Sequence, residues 1–280
     1  MSPIDSDKIT LAFTAGYQDP LSRFEWAGSQ AYAVEYSPDP DRLELLPEKV
    51  LPFVRSDIQV RFHTRYFKYE IGHADKYEAG KALEVHRKTL EKIHGLGEPV
   101  VTVHTGLSPS MPVKNDHIVE NLSRLVELAG RLGITVCLEN LRKGHSSDPY
   151  KILEWAGASG AMITLDTGHA LGCDLVMNRE MSAVQMVDLL APRIFEAHVY
   201  GLEDDTGHHP IQDMTPLKPL ISRLLQTDCR WWTIELHDPD QAMSTRSLVE
   251  GYLQTTSMTC GNTCGFEYRR QQTREGYESL

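Results

Sequence analysis

The amino-acid sequence predicts a closed (β/α)8 barrel that forms a single domain and is followed by a polar C-terminal extension. Eight short apolar, β-rich runs alternate with longer segments of helical periodicity. The runs are nearly continuous in apolar character, which is typical of parallel strands covered on both faces. The length of 280 residues and the 41% of hydrophobic residues suit one such barrel. We expect the barrel to span residues 1–254 and the extension residues 255–280.

The eight apolar runs are the predicted strands. Eight strands that alternate with helices favour a closed parallel barrel over an open doubly wound sheet. An open sheet often has a glycine-rich phosphate-binding turn after its first strand, and this sequence has no such turn there. The predicted strands are Ile9–Thr14, Ala31–Tyr36, Ile58–His63, Pro99–His104, Ile134–Glu139, Met162–Asp166, Arg193–Tyr200 and Trp231–Glu235.

The clearest predicted helix follows the fourth strand. Between residues 118 and 132 apolar side chains recur at spacings of three and four, which makes one face apolar, and Gly133 then ends the helix. The pair Asp148-Pro149 predicts an N-cap and a first-turn proline at the start of the next helix. Further helices are expected at Ala79–Gly97, Met181–Leu190, Leu217–Leu225 and Gln241–Leu253.

The chain is acidic, with 28 Lys and Arg against 39 Asp and Glu and a net charge of -11. Affinity for nucleic acid rests on cationic side chains that neutralise phosphates, so a nucleic-acid partner is not expected. A small-molecule substrate such as a carbohydrate fits this charge better. Arg61, Arg65 and Lys68 could form a local basic patch, but a solvated loop is the preferred interpretation of these residues.

The five cysteines and the polar N-terminus indicate a reducing compartment. An odd number of cysteines in a chain of this size is not typical of a disulfide scaffold. Residues 1–8 lack the apolar stretch of a secretion signal, and no window approaches the apolar length of a membrane span. We expect a cytoplasmic protein without a membrane partner, and a homo-oligomer is left open. Trp26, Tyr66, Phe67 and Tyr69 are compatible with a pocket, a dimer contact or the core.

Ionisable residues stand at or near the ends of most predicted strands, where the apolar runs stop. In a barrel these ends meet at one mouth, which is where barrel enzymes place their active sites. Carboxylates and imidazoles crowded there would lose solvation and repel one another, and a divalent cation removes that conflict. The residues are His63, His104, Glu139, Asp166, His169, His198 and Glu235.

Single residues of this kind also have structural explanations, because a lone His can be a hydrogen-bonded core residue and a lone Glu can cap a helix. Glu35 and His237 fit that interpretation. In the segment 166–169 (DTGH) a carboxylate leaves a strand, the chain turns, and the final histidine can face the mouth. The segment 207–211 (GHHPI) contains His208, but the neighbouring acids at 203–205 support a solvated loop there.

Together these segments resemble the xylose-isomerase-like barrel superfamily, which includes sugar isomerases and epimerases and also abasic-site nucleases of the endonuclease IV type. The resemblance covers about residues 9–253. The segments that carry it are 101–104 (VTVH), 136–140 (VCLEN), 164–169 (TLDTGH), 197–199 (AHV), 208–211 (HHPI) and 233–235 (TIE).

The resemblance implies two sets of metal ligands. The isomerase and epimerase branch holds one divalent ion through four residues, and the nuclease branch adds ligands for further zinc ions. The positions of the first set match Glu139, Asp166, His198 and Glu235. The added positions match His63, His104, His169 and His208.

The chain departs from both branches. The nuclease has an aspartate two residues before the last added histidine, and this chain has Thr206 there, so a complete three-zinc site is not expected. The epimerases often have a Glu six residues after the Glu of strand five and an Arg six residues after the His of strand seven. His145 and Asp204 occupy those positions here, so the substrate contacts of the known ketose epimerases are not expected.

The first functional hypothesis is a divalent-metal-dependent isomerase or epimerase of a sugar, a sugar phosphate or a polyol. A metal would polarise a carbonyl, one carboxylate would remove a proton from the neighbouring carbon, and a second would return it. Glu139 and Glu235 are the candidates for this pair, and His169 and His208 would hydrogen-bond the enediolate oxygen. The mostly oxygen-donor ligand set suits manganese, magnesium or cobalt.

The second hypothesis is a metal-dependent hydrolase, with zinc-dependent phosphodiester cleavage at abasic DNA as the specific case. The added histidines favour zinc, and two ions could activate water and stabilise a leaving oxygen. A third hypothesis is a non-catalytic metal-holding barrel that binds a partner through its tail. Cys260 and Cys264 could bind metal or form a local disulfide, but two thiols without a nearby histidine do not complete a zinc site.

Overall fold

The structure is a computed structural model that describes residues 9–107 and 111–259. In this part of the chain the strands are β1 (Thr10–Gly16), β2 (Ala33–Ser37), β3 (Gln59–Thr64), β4 (Val100–Val103), β5 (Thr135–Glu139), β6 (Met162–Asp166), β7 (Ile194–His198), β8 (Leu202–Asp204), β9 (Gly207–His209) and β10 (Trp231–Ile234). Eight of them close a barrel in the order β1-β10-β7-β6-β5-β4-β3-β2, and each neighbouring pair is parallel. The predicted (β/α)8 fold class is confirmed.

Helices connect the barrel strands and cover the outside of the barrel. They are α1 (Leu21–Gln30), α2 (Leu46–Arg55), α3 (Lys76–Ile93), α4 (Asn115–Arg131), α5 (Pro149–Ser159), α6 (Thr167–Gly172), α7 (Asp174–Met177), α8 (Ala183–Leu190), α9 (Lys218–Leu224) and α10 (Pro239–Thr259). The predicted barrel strands agree with the observed ones to within about two residues. The predicted N-cap is also present, because the Asp148 side chain accepts a hydrogen bond from the Tyr150 backbone N–H at the start of α5.

The apolar core lies between the barrel strands and the surrounding helices. Phe13, Phe62 and Leu138 on the strands are buried, as are Leu122 on α4 and Trp155 on α5. Full burial of a large apolar side chain contributes about 1.5–3 kcal/mol. This layer therefore fixes the barrel strands, whose C-terminal ends carry the ionisable residues.

The interior of the barrel is more polar than the predicted strands suggest. Arg61 lies within β3 and its guanidinium is 3.6 Å from the Glu196 carboxylate and 4.3 Å from the centre of the Trp231 ring. The predicted solvated loop is therefore wrong for Arg61. Thr102 and Thr164 also bond each other across the interior, with 2.7 Å between their Oγ1 atoms. Arg61 therefore does not belong to a basic surface patch with Arg65 and Lys68.

Two elements at the C-terminal mouth were not predicted. The segment expected to turn at Gly168 forms the short helix α6, with Asp166 as its N-cap. The loop after β7 forms an antiparallel hairpin of β8 and β9. Both elements bring side chains over the mouth of the barrel.

Helix α10 continues to Thr259, beyond the expected end of the barrel at residue 254. Residues 260–280, including Cys260 and Cys264, lie outside the described residues, so the domain boundary and the role of the extension stay predictions. Within residues 9–107 and 111–259, none of the helices has the length and apolar character to cross a bilayer. The cytoplasmic location and the homo-oligomer also stay predictions.

Helix α6 approaches the end of β7 closely enough to require a glycine. A Cβ atom at Gly168 would overlap three ring atoms of the buried Tyr200. Both Gly168 and Tyr200 lie beside the ionisable residues of the mouth, so their packing sets the position of α6. By contrast, a Cβ atom at Gly80 in α3 would meet nothing within 4 Å.

We expect Gly168→Ala to lower the free energy of unfolding by about 1–3 kcal/mol, because overpacking forces the ring of Tyr200 or the helix to move. The matched variant Gly80→Ala should raise it by about 0.5–1 kcal/mol, since alanine is the better helix former. Urea denaturation of both variants measures the effect. Equal midpoints for Gly168→Ala and the unmodified protein would contradict the close packing of α6.

Candidate metal centre

Four side chains meet at the C-terminal ends of neighbouring barrel strands. Glu139, Asp166 and His198 are the last residues of β5, β6 and β7. Glu235 directly follows the last residue of β10, which is the next strand in the barrel. One ligand atom from each of the four residues lies within 4.8 Å of the others. We call these four residues the central group.

Each member of the central group has a buried polar atom that makes no hydrogen bond of good geometry, although Glu139 Oε2 lies 2.9 Å from His104 Nε2 and His198 Nδ1 lies 3.0 Å from Glu235 Oε2. These atoms are Glu139 Oε2, Asp166 Oδ2, His198 Nδ1 and Glu235 Oε2. All four residues are at most 2% exposed. An unpaired buried polar atom costs about 1–3 kcal/mol, and a charged one costs more. Four such atoms that face one another fit a divalent cation with three oxygen ligands and one nitrogen ligand.

The negative charge of the carboxylates in the central group is balanced in part by the buried imidazole of His198. Burial lowers the pKa of His198, but Glu35 and Glu139 outweigh burial and raise this pKa well above its ordinary value. Burial raises the pKa of Glu139, yet His104 and His198 hold this pKa well below its usual range. His198 similarly overcomes burial and lowers the pKa of Glu235. A cation that takes up His198 Nδ1 therefore displaces a proton.

A second group of potential ligands shares Glu139 with the central group. It consists of His63 at the end of β3, His104 just after β4, and Glu139. The Glu139 Oε2 atom lies 2.9 Å from His104 Nε2 and 3.2 Å from His63 Nε2. Both histidines are buried. The second group can therefore hold a cation beside the central group only if Glu139 bridges the two positions.

A third group lies at the rim and consists of His169, Glu203 and His208. Glu203 on β8 and His208 on β9 are direct partners in the hairpin, and His169 Nε2 on α6 lies 2.8 Å from Glu203 Oε2. Glu203 therefore brings a carboxylate to the rim, although Thr206 stands where the nuclease has an aspartate, and the number of metal ions stays a prediction. The predicted solvated loop is wrong for Glu203, whose side chain is only 24% exposed.

The sequence predicts the position of Glu203 at the rim only if the loop after β7 is interpreted as a β-hairpin. Asp204, Asp205 and Gly207 are residues typical of tight turns. A turn centred between residues 205 and 206 places residue 203 opposite residue 208. Side chains of opposite residues lie on the same face of an antiparallel pair.

Three of the histidines are oriented by backbone carbonyl groups. Each donates a hydrogen bond from Nδ1, so Nε2 is the nitrogen left to face the carboxylates. The three bonds are His104 Nδ1 to the Thr64 carbonyl at 3.3 Å, His169 Nδ1 to the Asn140 carbonyl at 2.8 Å, and His208 Nδ1 to the Glu235 carbonyl at 2.9 Å. The backbone at the mouth thus selects the tautomer of these rings.

Two residues that were not assigned to the site hold its members in place. Asn140 accepts a hydrogen bond from the Asp166 backbone N–H at 2.9 Å and donates one to the Asp166 carbonyl at 3.1 Å. Tyr200 stacks on the ring of His208, with 4.2 Å between the ring centres. The amide therefore fixes the end of β6 relative to β5, and the aromatic ring supports the hairpin.

Every predicted ligand belongs to at least one of the three groups, and their binding of metal stays a prediction. These ligands are His63, His104, Glu139, Asp166, His169, His198, His208 and Glu235. His145 and Asp204 lie apart from the central group, on a turn and on the hairpin, where they contact Lys151 and His209. His237 is exposed and contacts Asp19. Glu35 caps no helix in the described structure and instead faces His198 from inside the barrel.

The sequence matches a known family. The chain belongs to the xylose isomerase-like TIM barrel family, whose sequence model matches residues 26–253. The uncharacterised protein MJ0008 from Methanocaldococcus jannaschii is 34% identical over 158 residues, which cover 56% of this chain and 68% of that protein.

Similar solved structures include sugar epimerases. A D-tagatose 3-epimerase-like protein has a TM-score of 0.73 and 18% identity, covering 90% of this chain and 99% of that chain. The D-allulose 3-epimerase from Methylomonas sp. in complex with D-allulose has a TM-score of 0.67 and 15% identity, covering 88% and 97%. The 3-keto-D-glucoside 4-epimerase from E. coli has a TM-score of 0.63 and 16% identity, covering 89% and 100%. At these identities the likeness shows the fold.

We expect Asp166→Asn to weaken binding of Mn²⁺ or Co²⁺ by more than the roughly 10–100-fold that loss of an outer partner costs, because it removes a charged ligand. Asp148→Asn is the matched control, since both aspartates cap a helix and asparagine also caps helices. Calorimetric titration measures both affinities. Equal affinities for the two variants would contradict the central group as a metal site.

Proposed function

We propose that the protein is a divalent-metal-dependent isomerase or epimerase of a small carbohydrate, a sugar phosphate or a polyol. The observation that carries the proposal is the pair Glu139 and Glu235. Both are buried carboxylates of the central group, and each has an unpartnered oxygen that faces the shared position. The epimerase names of the similar structures support the same class of reaction.

A divalent cation, when bound, supplies a Lewis acid that can polarise a carbonyl group or lower the pKa of water. The lowered pKa values of Glu139 and Glu235 favour their ionised forms at neutral pH, so each can accept a proton. In the proposed reaction Glu139 removes a proton from the carbon beside the substrate carbonyl. Glu235, protonated from solvent, gives a proton to the same carbon in epimerisation or to its neighbour in isomerisation, and Glu139 releases the proton it took to solvent.

His169 and His208 at the rim are the proposed donors to the oxygen on which negative charge develops. Each donates from Nε2 only as an imidazolium, because its Nδ1 proton is already bonded to a backbone carbonyl. Burial lowers the pKa of His169, but Asp166 and the hydrogen bond to Glu203 raise this pKa to about 10. His169 therefore carries a proton and a positive charge at neutral pH. A preorganised charged donor stabilises a developing oxyanion more than a neutral one does.

We expect the protein loaded with Mn²⁺ or Co²⁺ to exchange solvent deuterium into the carbon beside the carbonyl of at least one sugar in a panel of ketoses, aldoses and their phosphates. Glu139→Gln and Glu235→Gln should each slow this exchange by about 10²–10⁴-fold, the usual contribution of a general acid or base. Nuclear magnetic resonance in deuterium oxide measures the exchange. Glu127→Gln on the outer face of α4 is the control.

Unchanged exchange in both active-site variants would show that the acid and base assignment is wrong. A protein that binds its metal but exchanges no deuterium into any sugar of the panel would contradict the proposed reaction.

The second candidate function is metal-dependent hydrolysis of a phosphodiester, and Glu203 is the observation that favours it. With this carboxylate the rim offers three ligands beside those of the central and second groups, as a site for several zinc ions requires. The net charge of -11 and the position of Arg61 inside the barrel favour a small phosphate ester over a DNA duplex.

The two candidate functions give the same rim atoms different roles. In the isomerase His169 and His208 carry a proton on Nε2 and donate it in a hydrogen bond, whereas in the hydrolase the unprotonated Nε2 atoms bind a cation. Metal analysis therefore separates the two, and we expect one ion in each chain. If the protein bound two or more zinc ions in each chain and cleaved an abasic duplex or bis(p-nitrophenyl) phosphate, the hydrolase would be the correct assignment and the isomerase would be wrong.

A further inference from the structure

The imidazole of His198 differs from three other rings of the mouth in the group that its second nitrogen faces. His104, His169 and His208 each donate from Nδ1 to a backbone carbonyl. In His198 the orientation is reversed, since Nδ1 faces the central group and Nε2 lies 2.9 Å from Glu35 Oε2. A carboxylate thus takes the place that a carbonyl group has beside the other three rings.

Glu35 has no other evident role in the described part of the chain. It lies on β2, it is fully buried, and neither of its oxygens makes a hydrogen bond of good geometry, although Oε2 lies 2.9 Å from His198 Nε2. Burial of a carboxylate without hydrogen bonds is costly, and such a group is usually paired with a positive charge or serves a site. The ring of His198 is the group that meets this carboxylate at contact distance.

The contact reaches across the barrel rather than along the sheet. Strands β2 and β7 are separated by β1 and β10 in the barrel order. The His198 ring therefore fills the space between Glu35 on one wall and the central group, and its two nitrogens face opposite sides. In this position the lone pair of Nδ1 is available to a cation in the central group only if the ring proton stays on Nε2.

We propose that Glu35 is a positioning residue that holds the proton of His198 on Nε2 and so presents the Nδ1 lone pair to a cation in the central group. Glu35 acts through His198 and contacts neither substrate nor metal. A carboxylate also makes the imidazole a stronger ligand than a neutral carbonyl does, because it stabilises positive charge on the ring.

The rival outcome is that Glu35 is itself a ligand. Atoms of Glu35, His63 and His198 lie within 4.8 Å of one another, so these three residues could hold a cation deeper in the barrel. The number of bound ions separates the two roles. A ligand contributes an ion, whereas a positioning residue changes affinity and leaves the number unchanged.

The inference rests on the metal site of the proposed function, and it is independent of which reaction the site performs. Its test therefore uses Co²⁺ alone as the probe, with binding to the full chain followed by calorimetry and by the visible absorption of the ion. The variants are Glu35→Gln, which keeps an acceptor oxygen and loses the charge, and Glu35→Ala, which loses both.

Glu196→Gln is the matched control. Glu196 is also a fully buried glutamate of the barrel interior without hydrogen bonds, but its carboxylate lies beside Arg61 at 3.6 Å. Glu196→Gln makes the same chemical change in a buried barrel carboxylate that faces an arginine instead of the His198 ring. A change of Co²⁺ affinity in Glu35→Gln but not in Glu196→Gln would therefore be specific to the contact with His198.

We expect Glu35→Gln to weaken Co²⁺ binding by about 10-fold and Glu35→Ala by about 100-fold, with the same number of bound ions as in the unmodified protein. Glu196→Gln should stay within about twofold. A purely structural role predicts a different result, in which Glu35→Gln binds Co²⁺ normally and unfolds earlier than Glu196→Gln in the presence of a chelator.

Normal Co²⁺ affinity in Glu35→Gln would overturn the proposal, and so would the loss of one bound ion, which would make Glu35 a ligand. If the unmodified protein bound no Co²⁺, this proposal and the proposed function would fail together. If the variants showed the expected order of Co²⁺ affinities but the protein exchanged no deuterium into any sugar, only the proposed reaction would be wrong.

Discussion

The repulsion among three buried carboxylates is the constraint on which the mouth of this barrel depends. Atoms of Glu139, Asp166 and Glu235 lie within 4.8 Å of one another, and water reaches almost none of this space. At an effective dielectric constant of about 20, two like charges at that distance repel by roughly 3–4 kcal/mol. The arrangement persists only with positive charge among the carboxylates, from the His198 proton or from a cation.

The barrel keeps these carboxylates close together because hydrogen bonds fix the ends of its strands. Asn140 ties the end of β6 to β5 through two hydrogen bonds, and Asp166 also caps α6. The rings of His104, His169 and His208 are oriented by carbonyl groups of the same backbone, so these three histidines do not depend on mobile side chains for their direction. Rigid elements of this kind are what precise ligand geometry requires.

The sequence is most informative where local pattern and barrel position coincide. Glu139 and Asp166 end apolar runs, so parallel strands place both at the C-terminal mouth without any knowledge of tertiary contacts. Glu203 was missed because its role depends on the pairing of two short strands, and its acidic neighbours resemble an ordinary solvated loop. Arg61 was assigned to a solvated loop after the third strand, because a charged side chain is not expected inside a barrel, whereas the structure places it in that strand beside Glu196.

Glu35 could not be assigned from sequence at all. Its partner His198 lies on a strand that is not its neighbour, and which inward-facing residues meet across a barrel depends on strand tilt and stagger. The residues of the mouth therefore fall into two classes according to what determines their positions. The ligands follow from the repeat pattern, whereas the groups that orient and compensate them follow from closure of the barrel.

Anomalous X-ray diffraction from crystals of the Mn²⁺- or Co²⁺-loaded protein tests the central claim most directly. We expect an anomalous peak at about 2.0–2.4 Å from Glu139 Oε2, Asp166 Oδ2, His198 Nδ1 and Glu235 Oε2 together. A loaded crystal with no peak among these four atoms, or with its cation elsewhere in the barrel, would contradict that claim.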